Sequence, residues 1–177
     1  AGVELLFVVG GGACFLFMAG AHELAWLAVL LCGAVAGFLR WNWPNSRLFM
    51  GDVGSASLGF LVVAFALVGQ TYGIPLTLWL ILYGVFVFDA SVTLIRRLVA
   101  GERWYEAHKL HAYQRLCQLG WGHQKVLLGV VGLNAGLFGL ATLGYCYPAC
   151  LWVAVLSTLL LLTTVYLLIE YRRPMFI

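Results

Sequence analysis

Residues 126–169 read VLLGVVGLNAGLFGLATLGYCYPACLWVAVLSTLLLLTTVYLLI, and no formal charge interrupts them. A helix needs about 20 apolar residues to cross the hydrocarbon core of a bilayer. This stretch holds two such lengths, 126–146 and 149–169, divided by a short turn at Tyr147-Pro148. Working outward, four more stretches qualify, over 3–21, 24–40, 54–71 and 75–95. The expected fold is all-α: a polytopic transmembrane helical bundle of about six spans, one membrane domain over residues 1–177.

Composition agrees. Of the 177 residues 63% are hydrophobic and 10% charged, with a mean hydropathy of +0.97. Soluble domains carry about 25% charged residues. So few charges supply no polar shell, which excludes a water-soluble globular domain. The chain shows no starting Met and no signal-peptide pattern, and its first residues read as part of something longer.

All ten Lys and Arg residues fall in three segments. Arg40 and Arg47 lie between spans two and three. Arg96, Arg97, Arg103, Lys109, Arg115 and Lys125 lie between spans four and five, and Arg172 and Arg173 end the chain. The alternate turns carry none. This is the positive-inside pattern, which puts both termini and the three basic segments in the cytoplasm. Gly33 with Gly37, and Gly132 with Gly136, have the spacing at which helix backbones approach closely. The five cysteines show no metal-binding spacing. Cys146 and Cys150 flank an outer turn, where unpaired thiols are the plainer reading and a disulfide the alternative.

The polar residues gather at the basic segments. Asp52 stands between Gly51 and Gly54, with Ser55 behind it, at the mouth of the third span. A carboxylate beside glycines at a helix start suits a hard cation shared with phosphate oxygens; on spacing alone a helix cap is the plainer reading. Residues 101–125 hold His108, His111 and His123, with Trp104, Tyr105, Tyr113 and Trp121 among the cations. At helical spacing His108, His111 and Arg115 share one face. Such a segment serves either as an interfacial amphipathic helix or as a phosphate and nucleotide clamp. Asp89 falls inside the fourth span, where an acid marks a functional position or a buried pair; Arg96, two turns on, is the expected partner.

The run Asn45-Ser46-Arg47-Leu48-Phe49-Met50-Gly51-Asp52-Val53-Gly54-Ser55 resembles the Arg-hydrophobic-Phe-Met-Gly-Asp-x-Gly-Ser motif of the polyprenyl-phosphate N-acetylhexosamine-1-phosphate transferases. The segment Phe88-Asp89 through Arg96-Arg97, a histidine loop and two closing spans follow in the family's order. The resemblance implies a Mg²⁺-dependent phosphoglycosyltransferase, with Mn²⁺ as the alternative ion. Its partners would be a UDP-sugar and undecaprenyl phosphate, in the bacterial inner membrane with the active face cytoplasmic. No nucleic acid is expected, and a homodimer stays open. Carried over by position, Asp52 and His111 are the implied catalytic residues, with Asp52 on the metal. Arg47, Gly51, Gly54, Ser55, His108 and Arg115 are implied at the substrate, supported by Asp89 and Arg96.

The likeness departs from the family in the histidine loop. Where the family's commonest form has three histidines, this chain keeps His111 and has Tyr113 and Gln114 at the other two positions. That form resembles the branch initiating O-antigen or similar lipopolysaccharide and surface polysaccharide, and argues against the muramoyl-pentapeptide branch. The family's Asp-Asp pair and Asn-x-x-Asp-Gly loop are not found in these residues, which reads the chain as a C-terminal part. The rival readings are a non-catalytic half of such an enzyme and a small transporter subunit.

Overall fold

The structure is a computed structural model and describes residues 2–43, 47–103, 105–106 and 108–176. The motif residues Pro44, Asn45 and Ser46, and Trp104 and Ala107 of the histidine loop, lie outside the described residues. Among those described there are eight α-helices and no strand. In chain order they are α1 (Gly2–Met18), α2 (His22–Asn42), α3 (Gly51–Thr71), α4 (Leu76–Leu82), α5 (Gly84–Val99), α6 (Ala112–Gln118), α7 (His123–Cys146) and α8 (Leu151–Arg172). A single 3₁₀ turn, Pro148–Cys150, joins α7 to α8.

Helices α2, α3, α7 and α8 are long and apolar enough to cross a membrane. They turn apolar residues outward: Leu30 is 69% exposed, Phe60 72% and Leu160 70%. A water-facing surface does not tolerate so much apolar area, whereas lipid does. Helix α1 has 17 residues and so rises about 25 Å, a little short of a hydrocarbon core of about 30 Å. It lies at the centre, with Val8, Val9, Phe15 and Leu16 all buried, packed against α2, α3, α4 and α7.

The fourth expected span is not one helix. Its helix stops at Leu82, and α5 leaves Tyr83 bent by 79° from α4. The six expected spans are thus four straight helices, one short central helix and one bent pair. Gly84 makes the corner possible. A Cβ there would stand 3.1 Å from Leu137 of α7 and 3.3 Å from Leu162 of α8, so a bare backbone lets the corner press into both.

Close helix approach falls on glycines other than those the spacing suggested. At Gly33, Gly37, Gly132 and Gly136 nothing lies within 4 Å of where a Cβ would be. At Gly12 a Cβ would meet the Trp79 ring at 2.2 Å, and at Gly11 it would meet Leu82 at 2.9 Å. The small-residue pattern marks backbones able to approach; which of them do depends on the face that α1 turns to α4. The five cysteines, Cys146 and Cys150 included, are free thiols.

Candidate active site

The Gly-Asp loop is braced by the end of α2. Asn42 Nδ2 donates to the Leu48 carbonyl at 2.6 Å, and the Arg47 N–H donates to the Trp41 carbonyl at 2.9 Å. Gly51, at φ +67°, turns the chain into α3 in a conformation that a side chain resists. Asp52 follows in the first turn and is exposed, as are Arg47 and Ser55. The cap position belongs to Met50, so Asp52 stands inside the helix and the capping reading is not the one realised. Ser55 Oγ donates to the Asp52 carbonyl at 3.1 Å. Gly54 leaves room for Met50, whose Cγ would lie 2.8 Å from a Cβ there. Met50 and Ser55 line a cavity of about 50 Å³ together with Glu4, Leu5, Tyr83 and Phe86.

The histidine loop is not a long amphipathic helix. From Gly101, at φ +72°, the described chain runs without regular helix to His111, and only seven residues, Ala112–Gln118, are helical. His108, His111 and Arg115 therefore share no helical face. His111 sits at the cap of α6, and its Nδ1 lies 3.0 Å from Asp89 Oδ2. The other oxygen of Asp89 accepts the Ala112 N–H at 2.9 Å. Asp89, on the amphipathic helix α5 beyond the bend, thus orients the imidazole and starts the helix behind it.

Tyr113 and Gln114 do structural work where the family's other histidines would stand. The Tyr113 ring lies within 14° of parallel to the His111 ring, and Gln114 Oε1 accepts the His111 N–H at 3.2 Å. His108 packs on His111 at 4.9 Å between ring centroids. Burial, then the positive Arg97 and the neighbouring His111, hold the His108 imidazole below its ordinary pKa and favour its neutral form. Burial and the Asp89 carboxylate push the Tyr113 phenol up.

Two expected roles are corrected. Arg96 does not pair with Asp89; its guanidinium grips Glu170 of α8 with two bonds, at 2.6 and 2.8 Å. Arg115, expected at the substrate, is 1% exposed. Its NH1 donates to Glu170 and to the Arg173 carbonyl, and its guanidinium lies 4.9 Å above the Tyr166 ring. Seen from α6, Arg115 points into the bundle because Glu170 and Tyr166 wait there. It ties α6 and the tail to α8.

Sequence reasoning passed over three residues. Glu170, at the end of the last span, organises both arginines. Glu4 and Asn134 are buried at 4% and 1% exposure and meet at 2.7 Å between Glu4 Oε2 and Asn134 Nδ2. The signal was present: the one carboxylate of α1, and an amide inside the apolar run 126–146 of α7.

Comparison with known proteins places this arrangement. The family described as glycosyl transferase family 4 matches residues 1–70, which include the Gly-Asp loop. A phospho-N-acetylmuramoyl-pentapeptide-transferase of Arthrobacter sp. strain FB24 is 32% identical over 82% of this chain and 38% of its own length. One of Paenarthrobacter aurescens strain TC1 is 35% identical over 76% of this chain and 35% of its own. A decaprenyl-phosphate N-acetylglucosaminephosphotransferase of Mycobacterium tuberculosis is 30% identical over 66% of this chain and 32% of its own. The chain belongs to the polyprenyl-phosphate hexosamine-1-phosphate transferase superfamily. It spans only about a third of the length of these relatives, from 32% to 38%. No solved structure matches it.

As a superfamily member the chain is an integral bacterial membrane protein. The donor set suits a shared rather than an enclosed ion. Among the described residues no three His, Cys, Asp or Glu side chains converge on one point. One exposed carboxylate, Asp52, beside a glycine with open space above its Cα, fits a hard divalent cation that takes its remaining ligands from phosphate oxygens and water.

Proposed function

We propose that this chain takes part in transferring a sugar 1-phosphate of the N-acetylhexosamine type from a UDP-sugar to undecaprenyl phosphate at the cytoplasmic face of the inner membrane. A phosphate oxygen of the lipid attacks the β-phosphorus of the UDP-sugar. The bond from that phosphorus to the bridging oxygen breaks, and UMP leaves with the oxygen. The product is the polyprenyl-diphospho-sugar. Both reactants are anions, so positioning and charge neutralisation carry most of the catalysis.

The Asp89–His111 pair is the observation that carries this reading. With Nδ1 held by Asp89, the Nε2 edge of His111 is the one turned to substrate. With its proton on Nδ1 the ring offers the Nε2 lone pair, so His111 accepts a hydrogen bond or a proton from the substrate there. Asp52 would hold Mg²⁺, which when bound neutralises the diphosphate. Gly51, with open space above it, lets phosphate approach the start of α3, Gly54 seats Met50 beside it, and exposed Arg47 faces the same anion. The Tyr113-Gln114 form of the loop supports a surface-polysaccharide branch, and matches to relatives of both sugar types leave the N-acetylated hexosamine as the shared feature.

The test is UMP release from UDP-N-acetylglucosamine by the protein in membranes supplied with undecaprenyl phosphate. Asp52→Asn and His111→Ala are each expected to lower the rate at least about 100-fold. Wild-type rates in either variant would remove that residue from the site.

A further inference from the structure

The corner between α4 and α5 exposes backbone donors that lipid cannot satisfy. The first N–H groups of any helix lack partners within it, and in a hydrocarbon environment each must find one nearby. Tyr83, at the cap of α5, supplies no side-chain bond. The Phe86 N–H instead donates to Oε1 of Glu4, at 3.3 Å, from the first turn of α1. The second oxygen of Glu4 accepts from Asn134 Nδ2 of α7 at 2.7 Å, and the same amide nitrogen donates to the Val130 carbonyl at 3.0 Å. Three helices therefore meet on one buried carboxylate, and the carboxylate meets the helix that has just turned the corner.

We infer that Glu4 and Asn134 are positioning residues: they hold the bend at Tyr83 and so fix where α5 presents Asp89 to His111. This rests on the transferase reading above. Phe86 and Asp89 are one helical turn apart, so a shift of the first turn of α5 is passed directly to the carboxylate that orients the imidazole. Burying a carboxylate is expensive, and an apolar side chain in its place would avoid that expense. A corner that needs an acceptor from a neighbouring helix accounts for its presence. Neither Glu4 nor Asn134 lies in the Gly-Asp loop or the histidine loop.

The acceptor that the Phe86 N–H needs decides which substitution should be mild. In Glu4→Gln the amide oxygen still accepts from Phe86, so the corner keeps its acceptor and only the bond from Asn134 is given up, while Asn134 keeps its bond to the Val130 carbonyl. Glu4→Ala leaves both donors stranded.

Spin labels at Leu76 and Val99, both exposed, report the bend in the protein embedded in bilayers with its five native cysteines replaced. A straight helix between these positions spans about 34 Å, and a bend of 79° away from straight at Tyr83 brings the ends to about 28 Å. Glu4→Ala is expected to lengthen the separation by several ångströms, with Glu4→Gln unchanged; a wild-type distance in Glu4→Ala overturns the clamp. Should Glu4→Ala fail to insert, Asn134→Ala is expected to broaden the distance distribution, and an unbroadened one overturns it equally.

The kinetic arm uses UMP release. Glu4→Ala is expected to lower kcat about tenfold or more with KM little changed, and Glu4→Gln to restore it. In an Asp89→Asn background, Glu4→Ala is expected to subtract less than about a further twofold, because both act through one pair. Fully additive losses would show that Glu4 does not work through Asp89. Absence of UMP release from the wild-type protein refutes the transferase reading alone, because the label distances still judge the clamp.

Discussion

Asp89 and His111 are 22 residues apart in sequence and 3.0 Å apart in space, joined Oδ2 to Nδ1 across the gap between α5 and α6. Because Asp89 also accepts the Ala112 N–H, one carboxylate sets both the tautomer of the imidazole and the start of the helix that carries it. The His111 ring is thereby fixed on two sides, by the acid below and by the parallel Tyr113 ring.

Asp89→Asn removes the charge and places an amide against Nδ1, which favours the wrong tautomer. UMP release is expected to fall about 100-fold, the scale of a lost proton-handling group. The double variant with His111→Ala should be scarcely worse than His111→Ala alone. Additive effects in that cycle would separate the two residues functionally.

The Glu170 carboxylate serves Arg96 and Arg115 together, and Arg115 is buried. Glu170→Ala leaves a buried guanidinium uncompensated and should destabilise the protein by about 3 kcal/mol. Thermal unfolding in detergent measures this. A melting point within a degree of wild type would mean that the cluster carries little stability.

The pH response of the loop follows from His108. Its pKa in the folded state lies below the ordinary 6.5, so on acidification the unfolded chain takes up the proton first. The stability this neutral ring contributes is complete above pH 6.5 and is lost as the pH falls from there toward the depressed value. His108→Gln should flatten the decline in melting temperature below pH 6.5 and leave neutral pH little changed. An equally steep acid limb in the variant would count against this account.

Gly12→Ala drives a methyl into the Trp79 ring and should cost about 2 kcal/mol by overpacking. Gly33→Ala and Gly132→Ala have open space before them and should be neutral or slightly stabilising, since alanine favours helix. Melting temperatures of the three variants test which glycines carry the packing.

Much of this was legible one residue at a time. The motif around Asp52 sits at the mouth of α3, as its glycines suggest, because local backbone demands are written locally. The histidine loop was harder. Its helical spacing suggested one face for His108, His111 and Arg115, but the chain becomes helical only after Asp89 supplies a cap from another element. Arg96 was assigned to Asp89, near in sequence, and Arg115 to the substrate, whereas both meet Glu170, 74 and 55 residues away from them.

What the sequence determined by itself was solvent and local conformation: 63% apolar residues require lipid, and unbroken apolar runs of about twenty require helices. What only the tertiary structure decided was where those helices break and which polar groups meet. The 79° corner at Tyr83 arises because Gly84 can press against α7 and α8 and Glu4 can accept a stranded N–H. Hydrophobicity is a property of each residue and survives in the one-dimensional order. A hydrogen bond between residues 82 positions apart exists only once packing has brought them together.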